Sequence, residues 1–280
     1  MKAIVQNYVT AFSTESMYIT ETINRISGCS AAYWKNNISA YDIFDTVKPD
    51  IFFTHASFLK RDTVEYLSNN ANIECIFNIT GLNQDIVNNI NNLIKDQNIK
   101  CPLLYTNELN KSLKSKINLQ YIPLGFDQYN PIIREIPEYK IDLGCFSISK
   151  EVSVPEEFKT YHILGSVSNA DIKSTILEIP SLCTRYKNFV IYDDSNIVSQ
   201  AFYTSLYHGT PTYYHTSNEK IKQAIKNITK SENTFDINNK EEYQWRDIQE
   251  QIKSKHTGAN RVKTMFSNFS HDIATKIEIL

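Results

Sequence analysis

The 280-residue chain is short of the features that would place it outside ordinary globular proteins. No stretch approaches the roughly 20 apolar residues needed to span a bilayer, which excludes a membrane-spanning helix. The opening MKAIVQNYVTAF begins like a leader, yet Gln6 and Asn7 interrupt it and no small-residue cleavage site follows. The five cysteines (Cys29, Cys75, Cys101, Cys145, Cys183) are odd in number and scattered, without a close Cys-x-x-Cys pair. Buried free thiols and a reducing, cytoplasmic setting are the expectation. No His/Cys/Asp cluster shows ligand spacing, so neither a structural nor a catalytic metal is expected. Excess charge of one sign is also missing: 29 Lys and Arg against 31 Asp and Glu leave a net charge of -2. Such a balance gives no general attraction to nucleic acid or an anionic membrane, although a local basic groove stays open. Lys111, Lys114 and Lys116 form the clearest basic cluster, read as a solvated helix face.

What is present is an alternation of short apolar runs with helical patterns, and the length suits two compact domains. Strands are expected at Lys2–Tyr8, Ser30–Trp34, Asp50–Thr54, Glu74–Ile79, Leu103–Thr106 and Leu119–Ile122. Between them, helical spacing covers Thr14–Ile26, Ile38–Val47, Phe58–Leu67, Asn83–Lys95 and Glu108–Ser115. Pro123–Pro137, with three prolines and no periodicity, reads as a linker. The alternation then restarts with strands at Ile141–Ser147, Tyr161–Ser166, Phe189–Tyr192 and Pro211–His215. Helices are expected at Ala170–Tyr186 (kinked at Pro180), Ile197–Tyr207, Asn218–Lys230, Glu241–Ser254 and Arg261–Leu280. Strands alternating with helices predict parallel sheets covered on both faces, an α/β chain of two Rossmann-like domains. The expected boundaries are 1–127 and 139–260, with a linker at 128–138 and a C-terminal helix at 261–280 packing back on the domain junction.

Four segments resemble GT-B glycosyltransferases, and the resemblance spans almost the full chain. Lys48–His55 (KPDIFFTH) is similar to a strand whose carboxyl end delivers a His into the interdomain cleft. Tyr121–Asp127 (YIPLGFD) resembles the segment closing the N-terminal domain, and Tyr161–Ser166 stands like the second strand of the donor domain. Phe189–Asn196 and Ala201–Tyr213 (AFYTSLYHGTPTY) resemble the family's strand, loop and helix exit, with Gly209-Thr210-Pro211 the best single match. The glutamate pair of retaining members is missing: Thr204 and Asn196 stand in its places. A looser likeness to fucosyltransferase donor domains puts Gln200 and Ala201 where those carry an acidic–basic pair.

The resemblance implies a GT-B fold with an interdomain cleft and metal-independent sugar transfer from a nucleotide-sugar donor, with no further cofactor. Ligands in open α/β sheets sit outside the carboxyl ends of the strands, where helix starts offer N–H groups to phosphates. The donor is therefore expected at Asp193, Asp194, Ser195 and Asn196, which also read as a turn and N-cap, and at Ser166, Thr204, Gly209 and Thr210. Lys150 and, less favoured, Arg185 are the cations for the leaving diphosphate. His55 is the expected general base, with Glu15 as a competing base or acceptor contact and equally an acid placed for its helix dipole. Ser13, Thr14, Asn78, Thr80 and Gly81 are assigned to the acceptor side, although turn chemistry alone also accounts for the last three. Glycan, lipid-linked sugar, protein and modified DNA base all stay open as acceptors, nucleic acid being the less favoured. A module that binds nucleotide or sugar without turnover, and a sugar-nucleotide epimerase, are the competing functions.

Overall fold

The computed structural model describes residues 1–7, 14–109, 113–129, 141–147, 162–164, 172–174, 179–183, 185–230, 245–268 and 270–277. The expectations for Ser13, Lys111, Lys150 and Ser166, and for the linker over 130–138, lie outside them. Packing divides the chain into two units: Met1–Val9, Glu15–Pro123 and Gly258–Leu280 form one, Thr10–Thr14 and Leu124–Thr257 the other.

The first unit alternates β1 (Lys2–Gln6), α1 (Glu15–Arg25), β2 (Ser30–Trp34), α2 (Ala40–Val47), β3 (Ile51–His55), α3 (Arg61–Asn69), β4 (Glu74–Asn78), α4 (Gln84–Asp96), β5 (Leu103–Thr106) and β6 (Leu119–Tyr121). A single 3-10 turn, Ala56–Phe58, separates β3 from α3. All six strands are parallel, in the order β2-β1-β3-β4-β5-β6. Their apolar runs are covered on both faces, as in Ala3, Ile4 and Val5, all with no exposure. Phe44 of α2 meets Phe52 of β3 with ring centroids 5.0 Å apart, and Trp34 closes over Phe44 at 6.1 Å. Burying each such ring contributes on the order of 1.5–3 kcal/mol. Local signals set the helix ends. Ser39 and Asn83 cap α2 and α4 by accepting from the amides of Asp42 and Ile86. Lys48 takes a left-handed conformation that ends α2 just before Pro49. Because β2 and β3 flank β1, the chain reverses its direction of growth across the sheet at β1, and the carboxyl ends of β1 and β3 form its switch point.

The second unit holds β7 (Ile141–Ser147), β8 (His162–Leu164), β9 (Ile172–Ser174), α5 (Ile179–Cys183), β10 (Tyr186–Tyr192), α6 (Gln200–Tyr207), β11 (Thr212–His215), α7 (Glu219–Thr229) and α8 (Trp245–Lys255). A parallel sheet runs β11-β10-β7, and β8 pairs with β9, also in parallel. Returning to the first unit, α9 (Gly258–Phe266) and α10 (His271–Ile277) end the chain. Phe266 of α9 packs edge-on to Phe53 of β3 at 5.9 Å.

Three expected helices are corrected. Instead of one helix over Ala170–Tyr186, residues Ile172–Ser174 form a strand and α5 is a single short turn. Pro180 sits in its first turn, where a missing N–H costs nothing. Of the expected helix Glu108–Ser115, the described residues are not helical. There the Gln84 side chain bonds both the N–H and the C=O of Lys114 at 2.8 Å, replacing helical partners. The expected C-terminal helix is two, separated near Asn268. The Asn268 side chain closes the end of α9, its Nδ2 donating to the Thr264 carbonyl at 2.8 Å and to Gln120 of β6 at 2.9 Å.

Candidate functional site

In the first unit, polar side chains finish the otherwise apolar strands at their carboxyl ends. Gln6 ends β1, Thr54 and His55 end β3, Asn78 ends β4, and Thr106 ends β5 with Asn107 just after it. At the switch point the Thr54 hydroxyl donates to the Gln6 side-chain oxygen, tying β3 to β1.

Glu15, in the first turn of α1, is wholly buried behind these strand ends. Its Oε1 accepts from the Tyr18 hydroxyl at 3.1 Å and from Asn107 Nδ2 at 3.2 Å. Its Oε2 accepts from Asn78 Nδ2 at 2.8 Å and from the Tyr105 hydroxyl at 3.0 Å. Burial raises the carboxyl above its ordinary range, and these hydrogen bonds only partly counter the shift. With no solvent exposure and donors on both oxygens, Glu15 is placed to organise its surroundings rather than to meet a substrate.

That organisation reaches His55. Because both Asn amide nitrogens face Glu15, their oxygens are turned toward Thr80. Asn78 Oδ1 accepts from the Thr80 amide at 2.8 Å, and Asn107 Oδ1 accepts from the Thr80 hydroxyl at 3.0 Å. The Asn107 backbone amide in turn donates to Thr80 Oγ1 at 2.8 Å. The Thr80 carbonyl then accepts from His55 Nε2 at 2.8 Å. A carbonyl can only accept, so Nε2 carries the proton and Nδ1 carries the lone pair. Nδ1 accepts from the Ser57 hydroxyl at 2.6 Å and from the Ser57 amide at 3.3 Å. Burial lowers the imidazole's pKa below its usual value, and the bond to the Thr80 carbonyl opposes the shift without cancelling it. A neutral imidazole with a fixed tautomer is chemically fit to take up a proton. Gly81, at positive φ, closes the same turn, its amide donating to Glu108 at 3.0 Å.

The second unit also gathers polar groups at strand ends, between β10 and β11. Asp193 is buried, accepting from the Ser195 amide and the Tyr214 hydroxyl, each at 2.8 Å. Burial raises its pKa. Asp194 accepts from the Thr216 hydroxyl at 3.2 Å and the Ser217 hydroxyl at 2.9 Å, and the Ser217 backbone N–H holds its carboxyl below the ordinary range. Asn218 reaches back to the Ser195 carbonyl at 2.9 Å and to Asn196 Oδ1 at 3.0 Å while capping α7. The expected N-cap at Asp193–Asn196 is corrected: Ser199 caps α6, accepting from the Ala201 amide at 3.2 Å. Asp193, buried with a donor on each oxygen, serves the turn, whereas the exposed Asp194 carboxylate suits ligand hydroxyls, which donate, better than phosphates, which accept.

Other sequence-derived candidates have packing tasks. Thr204 is buried in α6, whose residues Gln200 to Leu206 are all buried. Thr210 donates to the Cys183 carbonyl at 2.8 Å. Gly209 takes the positive φ that follows a helix end, and a Cβ there would stand 3.3 Å from the Gln249 amide. Thr14 belongs to the second unit, its hydroxyl accepting from Gln200 Nε2 at 3.0 Å. Arg185 lies between α5 and β10, half-buried. Among the described residues no three His, Cys, Asp or Glu side chains are grouped to hold a metal ion, and no helix is long and apolar enough to cross a membrane.

Of the residues expected from the sequence, His55, Glu15, Asn78 and Thr80 are joined in one hydrogen-bond network, and Gly81 lies beside Thr80 with its amide on Glu108. Sequence reasoning missed Ser57, Tyr18, Tyr105 and Asn107. The signal for Asn107 was available: it follows the buried strand Leu103–Thr106, as Asn78 finishes β4 and His55 finishes β3.

No protein-family model and no curated protein matches the chain. Several solved structures are similar to it. A DNA-modifying β-glucosyltransferase, solved with and without uridine diphosphoglucose, matches at 13% identity and a TM-score of 0.49, over 99% of this chain and 97% of that one. The calicheamicin glycosyltransferase CalG4 matches at 7% and 0.46, over 97% of this chain and 98% of its own. The glycosyltransferase SnogD from Streptomyces nogalater matches at 8% and 0.45, over 95% of this chain and 99% of its own. All three are glycosyltransferases. At such identities no residue role passes from them to this chain.

Proposed function

We propose that the chain is a cytoplasmic glycosyltransferase that moves a sugar from a nucleotide-sugar donor to an acceptor hydroxyl without a metal ion, with His55 receiving the acceptor's proton. The supporting observation is that the hydrogen-bond network from Glu15 through Asn78, Asn107 and Thr80 ends on a neutral, tautomer-fixed His55 at the switch point of a parallel sheet. Ligands of open α/β sheets bind at this point. Two of the segments that resemble the glycosyltransferases support the reading. KPDIFFTH ends in β3 with its His at the carboxyl end, and Gly209-Thr210-Pro211 leads from α6 into β11.

In this reading the donor's ribose or sugar hydroxyls meet the loop Asp193–Asn196, and Lys150 meets the leaving diphosphate. Displacement at the anomeric carbon by an acceptor oxygen needs a base to take up that oxygen's proton in the end, the task given to His55. The test is a panel of nucleotide sugars with glycan acceptors and DNA carrying hydroxylated bases, read as released nucleoside diphosphate. Release that depends on an acceptor supports transfer. Donor binding without release from any pairing would instead assign the chain to the non-catalytic modules.

A further inference from the structure

The pair formed by Ser57 and His55 has a polarity that the chemistry of its partners fixes. Since Nε2 donates to the Thr80 carbonyl at 2.8 Å, Nδ1 is an acceptor, and the Ser57 hydroxyl must be the donor of their 2.6 Å bond. The imidazole therefore does not present its lone pair to a ligand. It presents it to Ser57. Ser57 is exposed whereas His55 is only half-exposed, so the serine oxygen is the member of the pair that an incoming hydroxyl meets. With its proton committed to Nδ1, that oxygen turns its lone pairs outward and can accept. Phe58, 41% exposed and edge-on to the imidazole at 6.0 Å, borders the pair with an apolar ring that limits competing water.

We propose that Ser57 is a catalytic residue that relays the proton in the transfer reaction proposed above, on which this inference rests. As the acceptor oxygen bonds to the anomeric carbon and the donor's nucleoside diphosphate leaves with the bonding pair, the acceptor's proton passes to Ser57 Oγ. The proton already on Ser57 passes to His55 Nδ1, giving an imidazolium whose Nε2–H stays on the Thr80 carbonyl. Ser57 ends neutral, and the imidazolium returns its proton to solvent when the products leave. Ser57 also has a plain structural use, since its amide bonds Nδ1 at the start of the 3-10 turn. Replacing only the hydroxyl separates the two roles, because the amide bond remains.

The experiment compares the full-length wild type with Ser57→Ala and Ser57→Thr, using the donor and acceptor pair that the panel identifies. Ser57→Ala is expected to lose kcat by about 100-fold, the lower end of general-base contributions, with KM for the donor within about two-fold. Ser57→Thr, which keeps a hydroxyl, is expected to recover most of that loss, and thermal midpoints should stay together. In wild type, 15N NMR of the imidazole should report the Nε2–H tautomer at neutral pH. An undiminished kcat in Ser57→Ala, or an Nδ1–H tautomer, overturns the relay and leaves the glycosyltransferase reading intact. Absence of transfer by wild type across the panel overturns that reading and the relay with it. If Ser57→Ala fails to fold, Ser57→Gly decides by the same kcat comparison, because it too removes the hydroxyl and keeps the amide bond to Nδ1.

Discussion

His55 works, in this account, because its surroundings keep it neutral. Burial disfavours the imidazolium more than the Thr80 carbonyl favours it, so the base form persists below the ordinary value of 6.5. The acid limb of kcat/KM is accordingly expected below pH 6.5, and a limb above that value would argue against His55 as the base. His55→Ala should cost at least about 100-fold in kcat, and losing the bonds to Thr80 and Ser57 should lower stability by about 1–3 kcal/mol without preventing folding. Glu15 makes a different prediction because it never meets solvent. In Glu15→Gln one amide nitrogen must confront donors from Asn78, Asn107, Tyr18 or Tyr105, at a cost of about 1–3 kcal/mol in urea denaturation. The pH dependence has a definite sign. The folded-state pKa of Glu15 is raised above 4.5, so the folded chain holds this proton more tightly than the unfolded one. The associated stability is complete below 4.5 and is lost as pH rises through the raised value. The wild type's margin over Glu15→Gln should therefore be widest in acid and shrink as the pH climbs.

Helix ends and helix contacts carry their own tests. Ser199→Ala removes the side-chain bond at the start of α6 and should cost about 1 kcal/mol, whereas Asn196→Ala should not unwind that helix. At the start of α9, a Cβ on Gly258 would stand 2.6 Å from Cγ of Tyr18, the residue whose hydroxyl bonds Glu15. Gly258→Ala is thus expected to destabilise by about 1–3 kcal/mol and, by displacing Tyr18, to disturb the Glu15 network. These elements also show how far the sequence could be read. Strands such as Ile51–His55 and Glu74–Asn78 were legible because both faces are buried and the apolar run is continuous. Helix α4 was legible from Ile86, Val87, Ile90 and Ile94 at helical spacing after Asn83, although Ile86, read on the same side, is exposed while the other three are buried. The region around Lys114 was not, because its backbone partners come from Gln84, 30 residues away. The break between α9 and α10 escaped notice for a like reason, since Asn268 is held by Gln120 of a distant strand. Ser199 was passed over because Asp193–Asn196 offered four earlier residues of capping type, all of them used instead by the strand-end turn.

At the scale of the whole molecule, two parallel α/β units each place polar side chains at strand ends, one around His55 and one around Asp194. The alternation of strands and helices made this organisation readable from the sequence, whereas the network that orders His55 depends on residues up to 92 positions apart. If a nucleotide sugar is the substrate, its binding should raise the thermal midpoint by mass action, by about 2.7 kcal/mol of stability at a hundred times its Kd. The most direct measurement is acceptor-dependent release of nucleoside diphosphate by wild type and His55→Ala side by side, across the donor panel. Release by wild type with at least one donor is expected, and its loss in a variant that still melts as a folded protein. Equal release by both proteins, or none by wild type with any donor and acceptor, would contradict the proposed function.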